Sequence, residues 1–328
     1  MCTSLALPTA DGRHLFGRTL DLDTHFGERV VLTPRRYPFS FADCYPQVHH
    51  YALLGMATVA DGPAASGYPL YAEAMNEKGL CMAGLRFAKN AVYSPDPREG
   101  WLNLAPWELI PYLLGTCATV AEVREALGNI CVVDQPFSPD LPAAPLHWHI
   151  VDADPTHGGL ILEVTAEGMK VYDDRPQGTL NGAPAMTGVL TNDPPYPEQL
   201  AALEANRVVR GDAPGLPGDY SSTSRFIRAA TLRRWAVEWA QSKRERGTEA
   251  GGGGHDLSVA QFFSILGAVS PTAGAVITPE GGHHRTLYTC CMDTGAGVYR
   301  WRTEGDTTVR AVGFDALDLN GEGVLCLS

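Results

Sequence analysis

Residues 2–22 read Cys2-Thr3-Ser4-Leu5-Ala6-Leu7-Pro8-Thr9-Ala10-Asp11-Gly12-Arg13-His14-Leu15-Phe16-Gly17-Arg18-Thr19-Leu20-Asp21-Leu22. Asp-Gly between two apolar-rich runs is a strong turn signal, so the stretch reads as a hairpin. One strand covers Ser4 to Leu7, the turn lies around Ala10-Asp11-Gly12, and the chain returns from His14 to Leu22. Cys2 then stands at the outer end of a strand, with Gly17-Arg18-Thr19-Leu20-Asp21 coming back beside it. Arg18 and Asp21 have opposite strand parity, so both reach Cys2 only if the strand ends or bulges near Leu20. A plain surface ion pair is the alternative.

Cys2 carries more chemistry than its position first suggests. Initiator methionine is normally removed before a small residue, and the mature chain then starts with a thiol and a free α-amine on one residue. An α-amine has a pKa of about 7.7–8.0, so near neutrality part of it is unprotonated and can take the thiol proton. Nucleophile and base are thereby combined, with Asp21 placed to hold the amine and Arg18 to lower the thiol pKa. The plain alternative is that any residue can follow Met1.

Outward from this hairpin the chain alternates in large blocks. A strand-rich block spans Tyr51 to Phe87, with Asn76-Glu77-Lys78-Gly79 as a polar turn. The pattern is helical from Asn103 to Ala126, with a kink or break expected at Pro111 and a stop at Gly115. Thr119-Val120-Ala121-Glu122 opens a better-marked helix that ends at Gly128. Strands return at His147–Asp152, Gly159–Val164, Met169–Tyr172 and Met186–Thr191, followed by a helix from Pro197 to Val209. The longest helix is expected from Ser222 to before Gly247, with Gly251–Gly254 as a flexible loop. Ser258-Val259-Ala260-Gln261 caps a helix reaching Leu266, and the tail, Arg285–Met292, Gly297–Thr303 and Thr307–Phe314, is β. Without internal repeats, this order suggests sheets covered by helices in a single α+β domain over residues 1–328.

Composition excludes several classes. Of 328 residues, 45% are hydrophobic and 19% charged, enough apolar material for a large core and too ordinary for a disordered chain. The net charge of −12 argues against nucleic acid or an anionic membrane as main partner. No run approaches the roughly 18–20 apolar residues of a membrane span, and the N-terminus lacks a cationic, apolar leader, so a cytoplasmic protein is expected. The eight cysteines contain no Cys-x-x-Cys pair, so most are expected as free thiols.

Phosphate-loop, Gly-x-Ser-x-Gly and His-Glu-x-x-His signatures are absent. His49-His50 and His283-His284 are adjacent, make poor joint ligands and read as solvated loop histidines. His147 and His149 share one strand face, which suits a metal or, more simply, local hydrogen bonding. Asn192, after the apolar run ending Leu190-Thr191, stands at a strand end, where its amide could donate to an oxyanion or simply make a turn. Arg225, Arg228, Leu232, Trp235 and Trp239 form one helical stripe, expected to be partly buried and to need acidic partners such as Asp21.

Taken together, several motifs resemble the choloylglycine hydrolase family. They are Met1-Cys2-Thr3, Phe16-Gly17-Arg18-Thr19-Leu20-Asp21, Phe26-Gly27-Glu28-Arg29-Val30-Val31-Leu32-Thr33-Pro34-Arg35, Asn76-Glu77-Lys78-Gly79-Leu80, Ala83-Gly84-Leu85, Pro145-Leu146-His147-Trp148, Leu190-Thr191-Asn192 and Leu216–Ser222 with Ser224-Arg225-Phe226. This family comprises bile salt hydrolases and penicillin V acylases within the N-terminal-nucleophile superfamily. The resemblance implies an αββα sandwich, a homotetramer and cofactor-free hydrolysis of an acyl amide, with no metal. It implies Cys2 as nucleophile with Met1 removed, Asp21 holding its amine, Arg18 and Arg225 tuning the site, and Asn192 donating to the oxyanion. A second oxyanion donor is the backbone N–H at Arg86, where typical bile salt hydrolases carry asparagine and typical penicillin V acylases tyrosine. Thr19 likewise replaces a frequent asparagine.

Phe26–Val31, Pro136-Phe137-Ser138-Pro139-Asp140-Leu141-Pro142 and the unextended N-terminus lean toward bile salt hydrolases. The implied substrates are glycine- or taurine-conjugated bile salts, with Leu20 and Phe137 as pocket candidates and Arg86 as a candidate cation for the acid group. Penicillin V acylase or another N-acyl amide hydrolase is the alternative. A glutamine amidotransferase fits less well, because that group has Met-Cys-Gly. A non-enzymatic thiol or metal-binding protein is the reading from a different class.

Overall fold

The computed structural model describes residues 1–328 apart from 10–12, 48, 62–66, 155–157, 175–178, 181–182, 185–186, 246–256 and 328, and leaves aside the side chains of 44–47, 179–180, 183–184 and 244–245. The chain first runs through β1 (Cys2–Pro8), β2 (His14–Leu22), β3 (Arg29–Thr33), β4 (Leu53–Ala60), β5 (Tyr68–Asn76) and β6 (Cys81–Arg86). Helices α1 (Leu109–Thr116) and α2 (Val120–Leu127) follow, then β7 (Leu146–Val151), β8 (Gly159–Thr165), β9 (Gly168–Asp174) and β10 (Val189–Leu190). Next come α3 (Tyr196–Ala205), α4 (Ser222–Glu245) and α5 (Val259–Gly267), and the chain closes with β11 (His283–Asp293), β12 (Val298–Thr303), β13 (Arg310–Gly313) and β14 (Leu325–Cys326).

The strands form two large antiparallel sheets. A seven-stranded sheet has the order β10-β1-β2-β11-β12-β13, with Val276–Ile277 added along β11. An eight-stranded sheet has the order β9-β8-β7-β6-β5-β4-β3-β14. α4 and α5 lie on the first sheet, α1 lies on the second against β5 and β6, and β1 and β2 meet β6 between the sheets. The result is the helix–sheet–sheet–helix sandwich of an α+β fold.

The Cys2–Leu22 hairpin forms as its pattern dictates, with Cys2 opposite Leu20, Ser4 opposite Arg18 and Pro8 opposite His14; its turn, 10–12, lies outside the described residues. Gly17 lets β11 approach, since a Cβ there would stand 2.2 Å from the Cys290 carbonyl oxygen. The Asn76–Gly79 turn closes with Gly79 at φ +88° and Asn76 Oδ1 accepting from Lys78 N and Leu80 N at 3.0 and 3.1 Å. Asn76 Nδ2 then ties the turn to the end of α1 through the carbonyls of Leu114 and Cys117, at 2.8 and 2.7 Å.

Both N-cap residues act as read: Thr119 Oγ1 accepts from Glu122 N at 3.2 Å and Ser258 Oγ from Gln261 N at 3.3 Å, while the Glu122 carboxylate accepts from Ala118 N at 2.6 Å. Other expectations need correction. Pro111 does not break its helix, because a 3₁₀ turn at Pro106–Glu108 precedes α1 and puts Pro111 in the first turn, where no N–H is needed. The helix expected at 197–209 is the shorter α3. The expected strand 307–314 shrinks to β13. The stripe expected on α4 holds for the buried Arg225 and Arg228 and the half-buried Leu232 and Trp235 but not for Trp239, which is 46% exposed, and Phe226, Ala229, Arg233, Ala236 and Ala240 are buried as well. The Gly251–Gly254 loop, the end expected near Gly247 and the strand start at Met186 lie outside the described residues. No described helix is long and apolar enough to cross a membrane.

Candidate active site

Cys2 is buried at the start of β1. Asp21 N donates to the Met1 carbonyl at 2.8 Å, so the alternation of an antiparallel ladder leaves the next pair, Cys2 and Leu20, without mutual hydrogen bonds. The N–H and C=O of Cys2 therefore point away from β2, toward α4 and the end of β10. Cys2 N donates to Asn192 Oδ1 at 2.9 Å, and the Cys2 carbonyl accepts from Arg225 Nη1. With Met1 present this nitrogen is an amide; after removal of Met1 the same atom is the α-amine.

Asn192 is held in one orientation. Arg225 Nη2 donates to its Oδ1 at 2.8 Å, and its main chain is fixed by Ser222 Oγ (2.9 Å) and Gln199 Nε2 (2.7 Å). Its Nδ2 therefore faces the other way, donating to the Arg86 carbonyl at 2.8 Å and keeping a second N–H. At the end of β6, Phe87 N donates to the Pro145 carbonyl at 2.8 Å. Arg86, opposite Leu146, thus falls at the non-hydrogen-bonded position, with its N–H on the same side as the carbonyl that meets Asn192. Asn192 thus links the first residue of β1 to the Arg86 main chain, each with one N–H not used in these bonds. The Arg86 side chain is exposed.

Arg18 and Asp21 serve opposite faces. No bulge in β2 is needed: the register shift lies in β11, between Thr286 and Tyr288, and β2 stays regular. Arg18 shares the inward face with Cys2 and Leu20, is fully buried, and donates to the carbonyls of Gly84 and Ala72 with Glu73 Oε2 at 3.8 Å from its Nε. Burial by itself lowers its pKa, but its interactions with Cys2, Tyr288 and Glu73 outweigh that and raise it, so Arg18 is a permanent cation facing the thiol. Asp21 faces the other way, with Thr286 Oγ1 donating to its Oδ1 at 2.7 Å. Burial pushes its carboxyl up, against Arg225, the chain's terminal amine and Thr286, which pull it down. Burial likewise lowers the terminal amine, here that of Met1, with Cys2 and Asp21 opposing. Burial in this setting favours the neutral amine, the form a base requires.

Arg225, in the first turn of α4, is buried and donates to Thr3 Oγ1 at 2.7 Å and the Tyr220 carbonyl at 3.1 Å. Its hydrogen bonds go to oxygens of neutral groups, while Asp21, the acidic partner expected for it, acts on it through its charge without a hydrogen bond. The Leu216–Ser222 motif makes that turn rigid: Asp219 accepts from Ser221 N and Ser224 Oγ at 2.9 and 2.6 Å, and Arg228 holds the Asp219 carbonyl at 3.0 Å.

Leu20 lies directly opposite Cys2, but Phe137 does not join it: Phe137 packs with Tyr68 and Trp107 in the core outside the eight-stranded sheet. His147 and His149 are both buried between partners. His147 bonds the Thr191 carbonyl (2.7 Å) and Glu163 (3.2 Å), and His149 Nδ1 meets Ser4 Oγ at 2.9 Å. His50 and His284 correct the expectation of solvated loops, since His50 is buried with both ring nitrogens on carbonyls and His284 lies half-buried in β11. No group of three or more His, Cys, Asp or Glu among the described residues could hold a metal ion.

Sequence reasoning missed the support beneath Arg18. Glu73 is fully buried and accepts from Tyr288 and Tyr299 hydroxyls at 2.7 and 2.8 Å. A carboxylate inside the apolar run Tyr71-Ala72-Glu73-Ala74-Met75 was the available signal.

This geometry coincides with a strong family match. A profile of the linear amide C–N hydrolases, choloylglycine hydrolase family, matches residues 2–326. The chain belongs to the choloylglycine hydrolase family. It is thus a linear amide C–N hydrolase with the N-terminal-nucleophile hydrolase fold. It is 35% identical to a bile salt hydrolase/transferase of Lactiplantibacillus plantarum over 95% of this chain and 92% of that one. It is 33% identical to a bile salt hydrolase/transferase of Clostridium perfringens over 99% and 95%. A solved conjugated bile acid hydrolase of Clostridium perfringens superposes with a TM-score of 0.83 at 31% identity, covering 100% of this chain and 97% of that one. The penicillin V acylase of Agrobacterium tumefaciens shares the fold, with a TM-score of 0.71 at 21% identity over 98% and 90%.

Proposed function

We propose that this choloylglycine hydrolase cleaves the amide of glycine- or taurine-conjugated bile salts through a thioester on Cys2. The observation that carries the reading is the meeting of Cys2 N, the Asn192 side chain and the Arg86 main chain at the start of β1. Once Met1 is removed, the α-amine takes the Cys2 thiol proton and the thiolate attacks the substrate carbonyl carbon. The oxyanion that forms accepts from the spare Asn192 N–H and the Arg86 N–H. The amine then passes its proton to the leaving nitrogen, glycine or taurine departs, and the Cys2 thioester remains. A water molecule, deprotonated by the amine, attacks the thioester; bile acid leaves and the thiol is restored. Arg18 stabilises the thiolate, Asp21 holds the amine as an ammonium, and Arg225 fixes Asn192 and the Cys2 carbonyl.

The bile-salt assignment is supported by relatives named for that activity over nearly the whole chain. No cofactor is required by these steps. One domain over residues 1–328, a cytoplasmic location and a homotetramer belong to the same reading, the last checked by light scattering. The deciding experiment measures release of glycine, taurine and phenoxyacetate from glycocholate, taurocholate and penicillin V, with Cys2→Ala as control and intact mass to establish loss of Met1. Bile-salt turnover that vanishes in Cys2→Ala is expected. Turnover of penicillin V alone would transfer the protein to the acylase branch.

A further inference from the structure

The peptide that leads into Asn192 is held at both ends from outside its own strand. Its carbonyl, that of Thr191, accepts from His147 Nε2 at 2.7 Å, and its N–H, that of Asn192, donates to Ser222 Oγ at 2.9 Å. A peptide unit is planar, so these two bonds fix the plane from which the Asn192 side chain springs. Ser222 opens α4, whereas His147 stands on β7 of the eight-stranded sheet and Thr191 follows β10 of the other sheet. Of the two bonds, that of His147 is the one that spans the sheets.

The partners of His147 also settle its protons. A carbonyl can only accept, so Nε2 carries a hydrogen. Nδ1 meets Glu163 Oε1 at 3.2 Å, one step along the β7–β8 ladder from the Trp148–Leu162 pair. Two lone pairs facing each other there would repel, so a second proton lies between the nitrogen and the oxygen. Burial demands the same count: both side chains are fully buried, and the second proton makes the pair neutral overall. Glu163 Oε1 is fixed in turn by Tyr196 N, the first amide of α3, at 2.8 Å. The imidazole lies flat on Phe87, the residue after Arg86, with centroids 4.3 Å apart and planes 8° from parallel.

We propose that His147 and Glu163 are positioning residues for the oxyanion donor: the proton they share holds the imidazole so that its Nε2–H pins the Thr191 carbonyl and thereby aims Asn192. The role rests on the reading above, in which the spare Asn192 N–H receives the oxyanion. A tilt of the Thr191–Asn192 peptide then moves the donor away from charge that develops only in the transition state, so kcat falls while substrate binding is spared. The Ser222 bond survives the loss of His147, which keeps the effect smaller than removal of Asn192 itself.

The test is a double-mutant cycle on glycine release from glycocholate. His147→Phe keeps a ring against Phe87 and removes both hydrogen bonds. With Asn192 present it is expected to lower kcat about tenfold, the worth of about one hydrogen bond, while KM stays within about twofold. In an Asn192→Ala background, where the donor is already gone, the same change should lower kcat by less than about twofold. His147→Gln, whose amide can donate to the Thr191 carbonyl, should recover most of the lost kcat. Thermal melting of each variant reports folding. If His147→Phe does not fold, Glu163→Gln takes its place in the cycle, since it keeps an acceptor for Tyr196 N but withdraws the charge that holds the shared proton. A tenfold loss in both backgrounds would make the pair merely structural. An unchanged kcat, or a loss carried by KM, would equally overturn the positioning role while leaving the hydrolase reading intact. If the unmodified protein shows no Cys2-dependent glycine release, the hydrolase reading fails and this role with it.

Discussion

On its outer side, toward α1 and α2, the eight-stranded sheet is covered by rings: Phe39 lies 4.9 Å from Tyr37 and 5.6 Å from Phe41, and Trp107 lies 5.2 Å from Tyr68 and 5.1 Å from Phe137, centroid to centroid. On its inner side the same sheet meets its partner through apolar side chains such as Phe16, Met75 and Leu85, with buried polar groups set among them. Glu73 takes the hydroxyls of Tyr288 and Tyr299, His149 meets Ser4, His147 takes the Thr191 carbonyl, and Arg18 crosses to Gly84. The outer layer gains its stability from area and shape, which need no direction. The inner layer adds directional contacts between the sheets, and that rigidity is what a nucleophile at the rim of the gap needs.

The largest effect expected is on Cys2. Cys2→Ala should lose at least about a thousandfold in turnover while its urea unfolding midpoint barely moves, because a methyl fills nearly the same buried space. Residual turnover near the original rate would remove Cys2 from the mechanism.

A pair of truncations then sets the two layers against each other. Phe39→Ala should cost about 3–5 kcal/mol through the cavity it leaves. Glu73→Ala should cost a similar 3–5 kcal/mol, because it leaves Arg18 buried without its counter-charge. Below the melting transition only Glu73→Ala should also lower kcat, since Arg18 faces the thiol. Equal activity in both variants would mean that the polar gap is merely structural.

Smaller again is the oxyanion contribution. Asn192→Ala should lower kcat by about 10²–10³, or about 2.7–4 kcal/mol, with KM little changed. A loss of only a few-fold would show that the spare N–H is not aimed at the reacting oxygen.

The same contrast explains what could be read in advance. The hairpin, the two N-caps and the Asn76 turn are local, and each was legible from residues a few positions apart. Cys2, Arg18, Asp21, Asn192 and Arg225 stood out because polar groups at strand and helix ends are conspicuous. The short strands β3 and β14 were not legible, since their partners lie far away in sequence. Nor was the location of Phe137: an aromatic near a proline-rich loop suits a pocket or a core equally well, and only packing separates them. Trp239 misled for a related reason, because the true inward face of α4 includes Arg233.

The smallest effect separates the layers by pH. His149 is fully buried, its Nδ1 meets Ser4 Oγ at 2.9 Å, and its Nε2 has no hydrogen-bond partner, Asp174 being 4.0 Å away. Burial lowers its pKa to about 4, with Arg233, His14 and His147 acting in the same direction and Asp174 against. In the unfolded chain it titrates near 6.5. Between these values the unfolded state binds the extra proton, so the stability His149 contributes is fully present above about pH 6.5 and is lost as pH falls toward 4. The slope is at most about 1.4 kcal/mol per pH unit and the total roughly 3 kcal/mol. His149→Gln, which cannot charge, should flatten this part of the urea-unfolding profile between pH 7 and 4.5. Phe137→Ala should shift the profile down without changing its shape, because its ring neighbours are Tyr68 and Trp107. A His149→Gln profile parallel to that of the unmodified protein would mean that acid sensitivity arises elsewhere, and the polar gap would lose its claim to be the pH-sensitive layer.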